Sequence, residues 1–295
     1  MYQGIIQHTT SFRSIVFQSI SFFILLLLGV TSCSPAPDLS QIQNLNQNTI
    51  GVFGHGGLGP NSRNPMNSLP AIQGCINRGA IGTEVDIQLT RDGVFVLYHD
   101  EFLDSQTSGT GKIADLTWAE IDGVYYQQFF KKKTPVMRLD SMLAKINLPQ
   151  NFILTFDCKV FNPLTPAYIA TFVDEIIDII EKYKIAETVF IELRQEALIQ
   201  PLLQKKSHYK VFALGAFDWI FPIAKKYNAY GISVTDKDIT EDQVQLAHRD
   251  SLFVAFYTSG RTSNVVEKNP DFIQTNKLDY FLELFPPTKF KKNID

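Results

Sequence analysis

The sequence predicts a closed (β/α)8 barrel of the TIM type, and three observations predict it. From Thr49 onward, short apolar runs alternate with longer stretches of helical periodicity, the pattern of parallel strands joined by helical crossovers. Eight such runs fit within one chain of 295 residues, a count that suits a closed barrel better than an open sheet. No Gly-x-Gly-x-x-Gly follows the first run, so nothing points to a dinucleotide-binding sheet.

In order, the expected strands are Thr49–Phe53, Gly82–Leu89, Val94–Tyr98, Phe152–Phe156, Thr188–Leu193, Lys210–Leu214, Tyr230–Val234 and Leu252–Tyr257. Each is short and mostly apolar, as expected of strands covered on both faces. Helical spacing of apolar residues marks Ser68–Arg78, Ala167–Tyr183, Leu198–Lys206, Ile220–Tyr227 and Glu241–Arg249. Thr117-Trp118-Ala119-Glu120 has the form of a capping box and predicts a further helix start.

The region before Thr49 reads differently. Arg13 is the only Lys or Arg ahead of the apolar run Phe22–Val30. That run is shorter than the roughly 20 residues a membrane-spanning helix needs, and it matches the core of a secretory signal peptide. Val30-Thr31-Ser32-Cys33 resembles a bacterial lipobox. The expectation is removal of residues 1–32 and diacylation of Cys33, with the membrane as partner through that anchor. Residues 33–48, rich in Ser, Pro, Gln and Asn, read as a flexible tether, and 49–295 as the barrel. The expected location is the bacterial cell envelope, at the outer membrane.

The chain carries 27 basic and 30 acidic residues, net −3. With no long basic block, nothing suggests nucleic acid as a partner, and no protein partner is evident. Cys75 and Cys158 fall on an expected helix and an expected strand. They are expected to be buried free thiols rather than a disulfide.

In a TIM barrel the chemistry sits at the C-terminal ends of the strands. Glu84 and Asp86 alternate with Val85 and Ile87, so both carboxylates face one side and the apolar pair faces the helices. Two carboxylates held close repel each other unless a cation or proton lies between them. Asp157 and Lys159 repeat the device at the end of Phe152–Phe156. Three acidic oxygen donors suit a hard divalent cation, Mg²⁺ or Ca²⁺. His55 ends the first run and His99 the third, flanking the acidic second run, in positions for a general base and a general acid.

The ordered set is more specific. His55-Gly56-Gly57, Pro65-Met66-Asn67-Ser68, Glu84-Val85-Asp86, Thr90-Arg91-Asp92-Gly93 and His99-Asp100 resemble, in order, motifs of the glycerophosphodiester phosphodiesterase family. Asp157-Cys158-Lys159 is similar to that family's Glu-x-Lys, Phe256-Tyr257 stands where it has Trp-Thr, and Pro270–Asn276 is similar to its closing segment. The resemblance implies hydrolysis of glycerophosphodiesters to glycerol 3-phosphate and an alcohol. It implies Glu84, Asp86 and Asp157 as metal ligands, His55 and His99 as acid and base, and Lys159 on the phosphate. Phe256 and Tyr257 would meet the substrate. Gly56 stands where the family has arginine and Met66 where it has glutamate. Arg63, in the intervening loop, is a candidate replacement for the lost arginine. Two other readings use the same barrel. One is phospholipase C- or D-like cleavage of intact lipids, which calls for an apolar rim that the polar, Gly- and Ser-rich loops do not suggest. The other is a non-catalytic phosphate- or sugar-binding module.

Overall fold

In the computed structural model, which describes residues 39–127, 133–260 and 264–286, the eight strands of a closed parallel barrel are present. They are β1 (Gly51–Gly54), β2 (Gly82–Leu89), β3 (Ile153–Cys158), β4 (Val189–Leu193), β5 (Lys210–Leu214), β6 (Gly231–Thr235), β7 (Phe253–Thr258) and β8 (Phe272–Thr275). Each pairs in parallel with the next, and β1 closes the ring by pairing with both β2 and β8. The helices between and after them are α1 (Leu69–Asn77), α2 (Leu139–Lys145), α3 (Pro166–Tyr183), α4 (Glu196–Lys205), α5 (Phe217–Lys226), α6 (Glu241–Arg249), α7 (Asn264–Glu267) and α8 (Leu278–Leu284).

Local chemistry sets these elements. The Ser68 hydroxyl caps α1 by accepting from the Ala71 amide, and Pro166 at the start of α3 needs no partner for a missing N–H. α3 buries Phe172, Val173, Ile176 and Ile180 on one stripe and ends at Lys184 in the left-handed region. Thr240 and Gln243 form a capping box at α6, and the box at Thr117 and Glu120 opens Trp118–Ile121. Outward residues of successive strands, among them Val52, Val85, Leu154, Ile191, Val211, Ile232 and Val254, pack under the helices in one core.

Three sequence expectations are corrected. Val94–Tyr98 is not a barrel strand: Phe95–Leu97 runs antiparallel to β2. The turn Thr90–Gly93 is too tight for a crossover. Gly93 sits at φ +80°, its amide bonds to the Thr90 carbonyl, and the chain doubles straight back. The barrel closes instead with Phe272–Thr275, beyond the last expected strand.

The second correction concerns the tether. Within it, residues 39–48 are docked on the barrel. Ile42 is buried, the Gln43 amide donates to Asn269 Oδ1, Asn44 Nδ2 donates to the Pro270 carbonyl, and the Asn46 amide donates to Asp271 Oδ1. All three partners lie just before β8, at the N-terminal end of the barrel. The third correction is Phe256, which lies in the core beneath the helices rather than at the mouth. Residues 1–38, with the expected signal segment and Cys33, lie outside the described residues. Among the described residues no helix is long and apolar enough to cross a membrane, and Cys75 and Cys158 are buried free thiols.

Candidate active site

The inward faces of β2 and β3 carry the acids. The register sets Asp86 beside Asp157 and Glu84 beside Thr155, so alternation along two neighbouring strands gathers the carboxylates at one level of the barrel. Glu84, Asp86 and Asp157 each offer an oxygen, all within 4.8 Å of one another, and all three residues are buried.

Their partners are few. Glu84 Oε2 accepts from the Gly56 amide at 2.9 Å, while Oε1 has no partner. Asp86 Oδ2 accepts from Asn67 Nδ2 at 2.7 Å, and the Asp86 amide donates to Asn67 Oδ1 at 2.9 Å. Lys159 Nζ reaches Asp157 Oδ2 at 2.6 Å and lies 3.0 Å from Asp86 Oδ1 as an ion pair outside hydrogen-bond geometry. Asp157 Oδ1 is unpartnered.

Burial, with Asp86 and Asp157 nearby, pushes the Glu84 carboxyl well above the usual range. Burial also raises Asp157, against the pull of Lys159. Burial works the same way on Asp86, yet Lys159 and the two histidines hold it below the ordinary value. For Lys159, burial alone would lower the ammonium, but Asp86, Asp157 and Glu84 raise it instead. One lysine thus serves three acids, and buried acidic oxygens remain without a donor. Such a set fits a hard divalent cation held by oxygen.

The two histidines differ. The His55 side chain is 18% exposed and that of His99 52%. His55 Nδ1 lies 2.7 Å from Asn276 Oδ1, and Nε2 lies 3.7 Å from Glu84 Oε2. Asn276 donates its own Nδ2 to the Tyr257 hydroxyl at 3.2 Å, which turns Oδ1 toward His55. Nδ1 therefore carries the proton and Nε2 the lone pair. Burial lowers the His55 pKa, which favours the neutral ring. His99 Nδ1 lies 2.7 Å from Asp100 Oδ1, and Asp100 Oδ2 in turn accepts from Ser105 and Gln106.

Of the residues expected from sequence, Glu84, Asp86, Asp157 and Lys159 converge, with His55 touching the cluster through Glu84. His99 stands at the same level, because the Tyr98 amide bonds to the Asp86 carbonyl. Tyr257 faces inward, its ring 4.8 Å from that of His55. Phe256 does not meet the mouth: strand alternation turns it outward, where it is fully buried in the core beneath the helices. Arg63 is exposed on the loop after β1, outside the buried cluster.

The loop also explains Gly56. It adopts φ +54°, and a Cβ there would stand 2.6 Å from Met66 Cε, so a larger residue would have to displace Met66. Sequence reasoning placed Asn67 and Asn276 in motifs without giving them roles. The available signal was a polar amide immediately beyond a strand end or before a helix cap. Glu192, inward on β4, is raised to about 8 by burial and by Asp157, and it accepts from Gln274.

Residues 55–273 match the model of the glycerophosphoryl diester phosphodiesterase family. The chain is 38% identical over 144 residues to human glycerophosphodiester phosphodiesterase 1, covering 46% of this chain and 42% of that protein. It is 27% identical over 172 residues to a glycerophosphodiester phosphodiesterase of Caldanaerobacter subterraneus, covering 57% and 69%. The chain thus spans less than half the length of the human relative. Among solved structures, it superimposes with a TM-score of 0.65 on the Agrobacterium tumefaciens glycerophosphodiester phosphodiesterase, at 20% identity, covering 79% of this chain and 99% of that one. An Oleispira antarctica phosphodiesterase in complex with its product sn-glycerol-3-phosphate gives 0.70 at 14% identity, covering 83% and 100%.

Proposed function

Because the chain belongs to the glycerophosphoryl diester phosphodiesterase family, we propose that it is a metal-dependent hydrolase of glycerophosphodiesters, releasing glycerol 3-phosphate and an alcohol. The observation that carries this reading is the buried acid triad with partnerless oxygens, served by Lys159 and approached by His55. Glu84, Asp86 and Asp157 would hold Mg²⁺ or Ca²⁺. A bound divalent ion would polarise the phosphoryl oxygens and ease deprotonation of the attacking hydroxyl.

The chain's own groups supply the rest. His55 Nε2, free of its proton, takes the proton of the glycerol 2-hydroxyl as that oxygen attacks phosphorus. His99, oriented through Nδ1 by Asp100, gives a proton from Nε2 to the departing alcohol oxygen as its bond to phosphorus breaks. The cyclic phosphate is then opened by water, with the two proton transfers reversed. Lys159 offers its charge to a non-bridging oxygen. The Oleispira phosphodiesterase, solved in complex with its product sn-glycerol-3-phosphate, supports glycerol 3-phosphate as the retained half.

The test uses the purified protein with glycerophosphocholine, Mg²⁺ or Ca²⁺, and an assay of glycerol 3-phosphate. Release should be abolished by chelator and should fall by roughly 10²-fold or more in His55→Ala and in His99→Ala. Turnover that survives chelator and both substitutions sinks the reading.

We also infer a lipid anchor at Cys33 in the bacterial envelope, from the lipobox-like Val30–Cys33. Incorporation of labelled palmitate in cells, lost in Cys33→Ala, is the expected result. Unlabelled protein would end the inference.

A further inference from the structure

Several described cations around the mouth already have partners. Lys159 reaches Asp157 at 2.6 Å and Asp86 at 3.0 Å. Lys112 is tied to Glu101 at 2.7 Å and to the Phe161 carbonyl at 3.0 Å. Lys268 donates to the carbonyls of Asp236 and Ile239. Arg194 differs. It is exposed, and among the described residues its guanidinium makes no hydrogen bond or ion pair.

The fold brings Arg194 to the acids. Phe190 and Glu192 face the bore of the barrel, and Arg194, one residue past the end of β4, is the next position of that parity. The register of β3 and β4 sets Asp157 beside Glu192. Two residues further along each chain stand Lys159 and Arg194, so alternation puts two cationic residues on neighbouring strand ends at one level. The electrostatics agree. Burial raises the Asp157 carboxyl, Lys159 pulls it down, and Arg194 pulls in the same direction. The charge of Arg194 is therefore felt at the triad, while its donors stay open to whatever enters the mouth.

Charge balance gives those donors a use. When the three acids are ionised, Lys159 and a divalent ion offset them and nothing is left over. A phosphodiester brings a further negative charge to a largely buried cluster, where an unmatched ion is costly. Gly56, beside His55, has no side chain to meet it. We propose that Arg194 is a catalytic residue of this site, its guanidinium clamping two phosphoryl oxygens of the substrate from the β4 side. The proposal rests on the phosphodiesterase reading above. Guanidinium is planar, permanently charged and forked, and its paired N–H groups match two oxygens of one phosphate. Lys159, held by two acids, supplies a point charge at a fixed place. Arg194 supplies the unshared one.

The experiment compares the full chain with Arg194→Met and Arg194→Lys, all with Mg²⁺. It measures kcat/KM for glycerophosphocholine and, by calorimetry, affinity for sn-glycerol 3-phosphate. An exposed side chain without partners holds no part of the fold, so both variants should melt as the parent does. Arg194→Met should lower kcat/KM about 10²-fold and weaken glycerol 3-phosphate about tenfold or more. Arg194→Lys should recover only part of either loss, because it restores the charge without the fork. The rise in melting temperature with Mg²⁺ should be kept or enlarged in Arg194→Met, since a neighbouring positive charge is gone. Unchanged kcat/KM and product affinity in Arg194→Met overturn the clamp. So does a loss that additional Mg²⁺ restores in full, which would assign Arg194 to the ion's seat instead, and so does an Arg194→Lys protein equal to the parent. If the parent itself does not turn over glycerophosphocholine, the underlying reading fails, while survival or loss of glycerol 3-phosphate affinity in Arg194→Met still decides the clamp. A parent that binds no glycerol 3-phosphate overturns both.

Discussion

The two ends of the barrel interior are built from the same strands and obey opposite rules. At the N-terminal end, Phe53, Phe190, Phe212 and Phe272 fill the bore with rings whose centroids lie 4.9–6.3 Å apart. Asp271, at that end, is fully buried and accepts from Asn46, Val254 and His248. At the C-terminal end, Glu84 Oε1 and Asp157 Oδ1 are buried with no donor, and Thr155 Oγ1 beside them is equally bare. Neighbouring positions on one strand, such as Ile153 and Asp157 or Phe190 and Glu192, thus pass from plug to charge within two to four residues. The difference teaches where stability was given up. A closed apolar floor tolerates a strained, acidic mouth a few ångströms above it, and the mouth gains a place for a cation and a phosphate.

Substitutions can break or sharpen that contrast. The largest expected effect is at the floor. Phe190→Ala opens a cavity among four rings and should cost about 3–5 kcal/mol in chemical denaturation. If activity at low temperature collapsed while stability held, the division of labour would be wrong.

The opposite signature is expected at the mouth. Glu84→Gln removes one of three crowded charges while keeping an acceptor for the Gly56 amide. Turnover should fall roughly 10²–10³-fold. Thermal melting without divalent ion should move upward, because buried like charges are relieved. Mg²⁺ or Ca²⁺ should then raise the melting temperature of the parent protein more than that of the variant, and equal shifts would argue against the triad as the ion's seat.

Next in size is Asp271→Ala, which strands buried donors from Asn46 and Val254. A loss on the order of 1–3 kcal/mol is expected, without change in kcat.

The smallest effect concerns pH. Burial and Asp157 raise the Glu192 carboxyl to about 8, so the folded protein holds a proton there that an unfolded chain releases near the ordinary carboxylate range. The sign follows: this contribution is complete below that ordinary range and is lost as pH rises through about 8. Glu192→Gln should flatten the decline in melting temperature between pH 5 and 8, measured without divalent ion. An unchanged slope would assign the decline to other groups.

Much of the mouth was legible in the sequence because strand alternation is local. Glu84 with Asp86, and Asp157 with Lys159, declare a shared face through the residues between them. The same rule, applied to Phe256 and Tyr257, sends one ring outward and one inward, and only the inward one reaches the site. What the residues flanking a strand do was less legible. Asn67 clasps Asp86 from 19 positions away, and Asn276 fixes the His55 tautomer from 221 positions away. Pairings of that reach leave no periodic trace.

By itself the sequence determined the barrel class, the helices α1, α3, α4, α5 and α6 with the capping box at Thr117, and the acids and histidines of the mouth, because periodicity and turn chemistry act within a few residues. Tertiary structure alone decided which run closes the ring. Val94–Tyr98 and Phe272–Thr275 are equally strand-like, but the tight turn at Gly93 commits the first to folding back on β2, leaving the edges of β1 and β7 to be paired by the second. It likewise decided that residues 39–48 lie against the barrel. Their polar composition suits solvent, yet their amides and side chains find acceptors at Asn269, Pro270 and Asp271 that exist only once the barrel has closed.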